Sequence, residues 1–470
     1  MKEDFFNFMR NEILKKRRFN AFLLSVLTVF FIAFISCETN DKDAVRKEFD
    51  PSKEVVITGF SPDSGSARSK MFLYGENFGM DTTKISIYIG GKRAPLIGCD
   101  GECLYCLVPA GSQEGTIEVR VKDDFTEKSA KAENRFKYVS RTIVSTLCGY
   151  TTSEGKYEIK DGTFEECGFG APYWLSLDPK NHNHLFLLEQ KLSLRLLDME
   201  KRMATTLVTV GEANWTQPRT LAWSLTGDTL YVANDQEGET SVGITMLTRS
   251  TGFKVPQTLV FYRNINHVSV NPVDGTVFYS TWWAGELFRY DWKQKKGVHA
   301  GNNSLLEYHV MFHPTGNYAY IFSPWNSAIQ RATYNWKEKT LDTPTTFVGG
   351  GGDGYVDGVG TAAQVRTPYQ GVFVKNEKYI NEGKEDIYDF YLIEAGNHCI
   401  RIITPEGKVT TFAGRGSKGL DNNTWGYVDG ELRKEARFRD PWGIEYDEET
   451  KTFYIADMSN HRIRMIAMDE

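Results

Sequence analysis

Short stretches of alternating apolar and polar residues dominate the chain from about residue 54 onward. Residues 54–58 (EVVIT), 70–74 (KMFLY), 84–89 (KISIYI), 105–108 (YCLV) and 116–121 (TIEVRV) each show the period of two of a half-buried strand. Glycine and proline turns separate them at the spacing of an all-β sandwich. A first domain is therefore expected over 53–139, with a further β-rich region over 141–470. At 470 residues the chain is too long for one ordinary core.

The second region repeats. Tyr355-Val356-Asp357-Gly358 leads to Thr367-Pro368-Tyr369-Gln370-Gly371, and Tyr427-Val428-Asp429-Gly430 leads to Asp440-Pro441-Trp442-Gly443-Ile444. Each copy continues into a second strand, then a polar hairpin (Gly396-Asn397-His398, Ser459-Asn460-His461) and a third strand opening on Ile400-Arg401 or Ile463-Arg464. A fainter copy runs from Asp161-Gly162 to Pro172-Tyr173-Trp174. First strands at 172–178, 218–224, 266–271, 308–313, 368–374 and 441–446 give six units, with seven left open by the degenerate middle copies. A repeat of this length buries its faces only against its neighbours, so the units must close into a ring. The last unit ends after its third strand, and 143–149 (IVSTLCG) matches the missing fourth strand exemplified by 408–414 (KVTTFAG). That N-terminal strand is expected to latch the ring and remove a free sheet edge. It also orients the molecule: fourth strands rise from the first domain's end, so inter-blade loops open on the far, outward face.

These motifs carry two resemblances. Pro62-Asp63-Ser64-Gly65, Gly75-Glu76-Asn77-Phe78-Gly79, Ile89-Gly90-Gly91 and Val108-Pro109-Ala110 fall in the order of the IPT/TIG family of immunoglobulin-like domains. The Asp-Gly, Pro-x-Gly-Ile and Asn-His-x-Ile-Arg pattern resembles the NHL repeat of β-propellers. Together they imply an all-β fold: an immunoglobulin-like sandwich followed by a six-bladed NHL-type β-propeller closed by an N-terminal strand. Gly75 and Gly79 are expected to supply positive φ in the turn around Asn77.

The first forty residues read as an address. A basic cluster, Lys15-Lys16-Arg17-Arg18, precedes a 15-residue apolar run over 21–35, short for a membrane helix and right for a signal peptide. Phe34-Ile35-Ser36-Cys37 resembles a bacterial lipobox, which implies a signal peptide over 1–36 and acylation of Cys37. Residues 37–52 form an acidic tether, whose Glu38 to Asp43 stretch (ETNDKD) resembles the surface-export tag of Bacteroidota lipoproteins and reads equally as a solvated tether. No later segment is apolar and long enough to span a bilayer.

Net charge −6 and a pI near 5.9 argue against a nucleic-acid partner. Of the seven cysteines, Cys99, Cys103 and Cys106 lack the paired spacing of a zinc site; a disulfide among them or plain burial both fit. Cys148 and Cys167 are a second candidate pair, with connectivity open. Asp353 and Asp357 in the glycine-rich loop lack the oxygen series of a calcium loop, and the recurrent Asp-Gly reads as a structural turn. Asn397 and Asn460 are expected to bond their own turn backbone. No cofactor or metal is assigned.

The candidate ligand residues are aromatics and polar groups at loops and strand starts of the outward face. Trp174, Trp282, Trp283, Trp325, Tyr369 and Trp442 offer rings for the apolar faces of a sugar. Arg219, Asn266, His267, His309, Asn326 and Gln370 offer polar partners. NHL-type propellers include lyases with channel zinc, but His267 and His309 have no third counterpart in the fifth and sixth units, so a catalytic role ranks last. A protein-binding propeller is the middle alternative. The whole resembles surface lipoproteins encoded with glycan-uptake systems of Bacteroidota. The expectation is a non-catalytic binder of a polysaccharide or oligosaccharide, lipid-anchored in the outer membrane facing outward, partnered with an outer-membrane transporter complex.

Overall fold

The computed structural model describes residues 48–469 apart from 113, 153 and 417–422. Cys37, the signal peptide and most of the acidic tether lie outside the described residues.

The first domain packs two antiparallel sheets. One orders Val56–Ser61, Lys70–Gly79, Gly101–Leu107 and Leu96–Cys99; the other orders Lys92–Ala94, Ile85–Ile89, Ile117–Lys122 and Glu127–Lys131. Alternate residues of the facing strands, among them Met71, Leu73, Ile85, Ile87 and Val119, form the core with Phe78 and Phe136. The Gly75–Gly79 turn differs from expectation in one respect. Asn77 itself takes the left-handed conformation, at φ 61°, beside Gly79 at 73°. Its amide ties down the preceding segment, donating to the carbonyls of Asp50 (2.9 Å) and Lys53 (3.0 Å). Gly75 serves close approach instead, because a Cβ there would stand 1.9 Å from the Val56 carbonyl oxygen. All six described cysteines are free thiols, so no disulfide links Cys99, Cys103 and Cys106.

The second region is a ring of six antiparallel sheets. Their inner strands are Pro172–Asp178, Pro218–Trp223, Ile265–Val270, His309–Phe312, Pro368–Lys375 and Pro441–Asp447. Each packs on the next, and the sixth packs on the first. Blade six is completed by Thr142–Cys148, which pairs antiparallel with Arg462–Met468 from Thr142↔Met468 to Cys148↔Ile463. The latch strand thus covers the edge that the last unit leaves open.

The Asp-Gly repeat is structural, for a reason beyond turn geometry. In blades one, five and six a fully buried arginine on the third strand meets a buried acid at the end of the second. These pairs are Arg195–Glu189 (3.2 Å), Arg401–Glu394 (2.9 Å) and Arg464–Asp457 (2.7 Å). The other guanidinium nitrogen of each reaches the aspartate of the motif: Asp161 (2.9 Å), Asp357 (2.8 Å) and Asp429 (2.6 Å). A fourth-strand threonine then donates to that aspartate: Thr206 (2.9 Å), Thr411 (3.0 Å) and, on the latch strand, Thr146 (3.3 Å). Thr146 occupies the slot that Thr206 and Thr411 fill, so the latch is a genuine fourth strand of the repeat. Asn397 and Asn460 bond the buried acid and the neighbouring loop rather than their own turns. Asn460 donates to Asp457 (2.7 Å) and to the Gly426 carbonyl (2.9 Å), and Asn397 likewise to Glu394 and to the Gly354 carbonyl (2.8 Å).

The sandwich meets the ring where the last strand ends. The Asp469 carboxylate accepts from Tyr138 Oη (2.7 Å), the Ala67 amide (3.2 Å) and the Arg141 amide. In an antiparallel blade, the end of the inner strand and the start of the fourth share one end of the ring. The inner strands therefore run from the outward face toward the sandwich.

Candidate functional site

Six inner strands converge on a narrow axis, and their side chains divide the predicted ligand residues into three groups. At the outward end the channel is plugged. Tyr369 stacks on Trp442 with centroids 4.4 Å apart, and Tyr173 packs edge-on to both. Tyr173 Oη donates to Tyr369 Oη (3.1 Å). Arg219 closes the remaining gap with ion pairs to Glu307 (2.9 Å) and Asp235 (2.8 Å). Burial pushes the Tyr369 phenol well above its ordinary value, so the plug stays uncharged apart from the ion-paired arginine. Tyr369, Trp442 and Arg219 thus seal the ring instead of lining an outward site. A closed ring of inner strands leaves a bore just wide enough to be filled by such side chains.

Below the plug sit Trp174, His267 and His309. The Trp174 ring is edge-on to both imidazoles, at 5.7 and 5.3 Å, and the imidazole centroids are 5.2 Å apart. His267 Nε2 faces the Val310 carbonyl (3.0 Å) and His309 Nδ1 faces that of Tyr369 (2.8 Å). A carbonyl only accepts, so those nitrogens carry the protons and the opposite nitrogens present lone pairs. Both of those lone-pair nitrogens are buried without a partner, as are both amide atoms of Asn266. Burial keeps the two rings neutral, His267 far below the usual histidine value and His309 down to about 4. Gln370 is spent on structure: it bridges blades by donating to the Leu175 carbonyl (2.7 Å) and accepting from the Leu175 and Ile444 amides. Among the described residues no cluster of three or more His, Cys, Asp or Glu is placed to hold a metal.

Trp174, His267 and Gln370 instead border a pit of about 370 Å³ that opens at the sandwich end of the ring. Leu175, Val268, Val310 and Phe312 form its apolar walls, and Glu445 its one carboxyl. These three residues are therefore corrected from the outward face to the opposite half of the bore. Inner strands run the full height of the ring, so a position two or three residues from a strand start already lies below the plug.

Trp282, Trp283, Trp325 and Asn326 do lie at the outward face, on the hairpins between second and third strands of blades three and four. Glu307 organises them. Its Oε2 accepts from Trp282 Nε1 (3.0 Å) and Trp325 Nε1 (2.6 Å), while its Oε1 holds Arg219. Trp283 packs on Trp282 at 4.1 Å. Trp283 and Trp325 are 62% and 74% exposed although their neighbours are fixed. Two large indoles left open to water, Trp325 held by the buried Glu307 carboxylate and Trp283 packed on the Trp282 that Glu307 also holds, are a costly surface, of the kind kept for a ligand. Asn326 shapes the hairpin, its side-chain oxygen accepting from the Ala328 amide (2.9 Å). Beside Trp283 runs a groove of about 400 Å³ lined by Glu237, Arg263, Asn264 and Glu286. Sequence reasoning missed this polar wall and Glu307, since blades two to four carry no copy of the repeat motif to mark them.

The comparisons agree with this architecture. Residues 55–138 match the family model described as IPT/TIG domain. The human NHL repeat-containing protein 2 is 29% identical over 117 residues, which are 25% of this chain and only 14% of that protein. An auxiliary nutrient binding protein from Bacteroides thetaiotaomicron is 43% identical, with 90% of this chain and 100% of that one covered at a TM-score of 0.72. Its counterpart from Bacteroides ovatus is 35% identical over 90% and 100%, at 0.68. A further Bacteroides thetaiotaomicron protein, provisionally described as a phosphatase, is 32% identical over 90% and 99%, at 0.69. The chain belongs to the family of these Bacteroides proteins, in which an IPT/TIG sandwich is followed by an NHL-repeat β-propeller.

Proposed function

We propose that this protein is a non-catalytic nutrient-binding lipoprotein of the cell surface that captures a polysaccharide or oligosaccharide. Acylated Cys37 would hold it in the outer membrane, and the IPT/TIG sandwich would lift the propeller so that its outward face meets the ligand. An outer-membrane transporter complex would receive the captured chain. The observation that carries this reading is the row of indoles Trp325, Trp282 and Trp283, oriented through Glu307 and flanked by the charged groove. Flat rings cover the apolar faces of pyranoses while Asn264, Arg263, Glu237 and Glu286 bond hydroxyls. The relatives named as nutrient binding proteins support the same role.

A glycan array probed with residues 38–470, followed by affinity electrophoresis on the polysaccharides retained, tests it. Retention by at least one glycan class is the expected result. Failure to retain any glycan, with phosphate-ester hydrolysis by the same preparation, would replace this reading by a catalytic one.

A further inference from the structure

We propose a second ligand site in the pit at the sandwich end of the bore, built for a small organic ammonium compound that carries hydroxyls. It goes beyond the outward-face reading and does not depend on it.

Glu189, Glu394, Asp457 and Glu307 are buried carboxylates of the same ring, and each touches an arginine at 3.2, 2.9, 2.7 and 2.9 Å. Glu445 departs from this pattern, as does Asp389, which accepts from Asn376 and meets no cation. The Glu445 oxygens accept only from backbone amides, those of Leu177 (3.3 Å) and Tyr446 (3.0 Å). Among the described residues no cation pairs with Glu445, and the charged neighbour nearest in the chain is another acid, Asp447, itself engaged by His182 at 2.9 Å. Enclosure without a counter-ion raises its carboxyl to about 7. Even a partly buried carboxylate such as Glu445 is costly without a cation, unless something supplies one.

The facing wall supplies more acceptors and aromatic surface. His267 and Ser269 border the same space, and the His267 Nδ1 and the Ser269 hydroxyl are enclosed in its wall without a protein partner; the residues are 1% and 8% exposed. Trp223 adds an unpaired indole N–H and, with Trp174 and Phe373, ring faces that attract an organic cation. An ammonium group satisfies the Glu445 carboxylate, and ligand hydroxyls match the Ser269 hydroxyl, the His267 lone pair and the Trp223 donor. The pit volume of about 370 Å³ admits a molecule the size of a monosaccharide. Amino alcohols and amino sugars combine these features.

Isothermal titration of the full chain at pH 8 with ethanolamine and 2-amino-1,3-propanediol, against ethylene glycol and glycerol as charge-free analogues, tests the site. The ammonium members should bind at least tenfold more tightly than their analogues. Glu445→Gln should remove at least tenfold of that affinity, Trp223→Phe about threefold, and Trp283→Ala none. Equal affinity for charged and neutral members, absence of binding by all four, or full affinity in Glu445→Gln would overturn the proposal. Glycan retention at the outward face is read by Trp283→Ala, so the two sites fail separately.

Discussion

Replacing Glu445 by glutamine should make this protein more stable, by an amount that grows as pH rises from 4.5 to about 7 and then levels off. Glutamine keeps the oxygen that accepts from the Leu177 amide and removes the charge. Burial raises the folded-state carboxyl from an ordinary value of 4.5 to about 7. Between those values the folded protein holds a proton that the unfolded chain has released. Its contribution is therefore fully present below pH 4.5 and is lost as pH rises through about 7. A tenfold change in proton affinity corresponds to about 1.4 kcal/mol, so the full penalty approaches ~3 kcal/mol, and water reaching Glu445 through the pit trims it to about 1–3 kcal/mol. Urea unfolding of wild type and Glu445→Gln should coincide at pH 4.5 and separate by that amount at pH 8. Tryptophan fluorescence isolates the relevant domain, since all ten tryptophans lie between Trp174 and Trp442. A variant less stable than wild type at pH 8, or an offset equal at both pH values, would refute the reasoning.

The repeat anchors make an opposite case. Arg464→Met strands the fully buried Asp457 and should cost about 3–5 kcal/mol in urea unfolding, with much of that recovered by adding Asp457→Asn; a loss under 1 kcal/mol would contradict it. Gly75→Ala places a methyl against the Val56 carbonyl and should lower the melting temperature of the sandwich while leaving tryptophan-reported unfolding of the propeller unchanged; calorimetry separates the two transitions. Glu307→Gln breaks the ion pair to Arg219 and loosens two indoles, so thermal stability and red-edge tryptophan emission should shift together.

The fold was legible because its signals are local and repeated. Asp357-Gly358 and Asp429-Gly430 mark blades that share one ion-pair network, and 143–149 announces the latch by the same residue types that fill 408–414. Thr146 explains why that likeness holds, since it meets Asp429 as Thr411 meets Asp357. Gly75 shows the limit of turn arguments, because close backbone approach and positive φ leave the same letter in the sequence. The site was read less well. Strand starts were identified, but height along the bore was not, so Tyr369, Trp442 and Arg219 became a plug and Trp174, His267 and Gln370 moved to the pit. Height depends on how far each strand is set along the axis, a property of ring closure that no single repeat encodes. The hairpin indoles escaped this error because hairpins have only one face to occupy. Glu307 went unseen since its partners Arg219, Trp282 and Trp325 come from three separate blades.

The outward aromatic row is the claim on which the functional account turns. Titration of a glycan retained on the array into wild type, Trp283→Ala and Trp442→Phe tests it most directly. Trp283 is exposed beside the groove, so its loss should weaken binding at least tenfold, about 1.4 kcal/mol. Trp442 is stacked inside the plug, and its conservative replacement should leave affinity unchanged. Full affinity in Trp283→Ala would contradict the account.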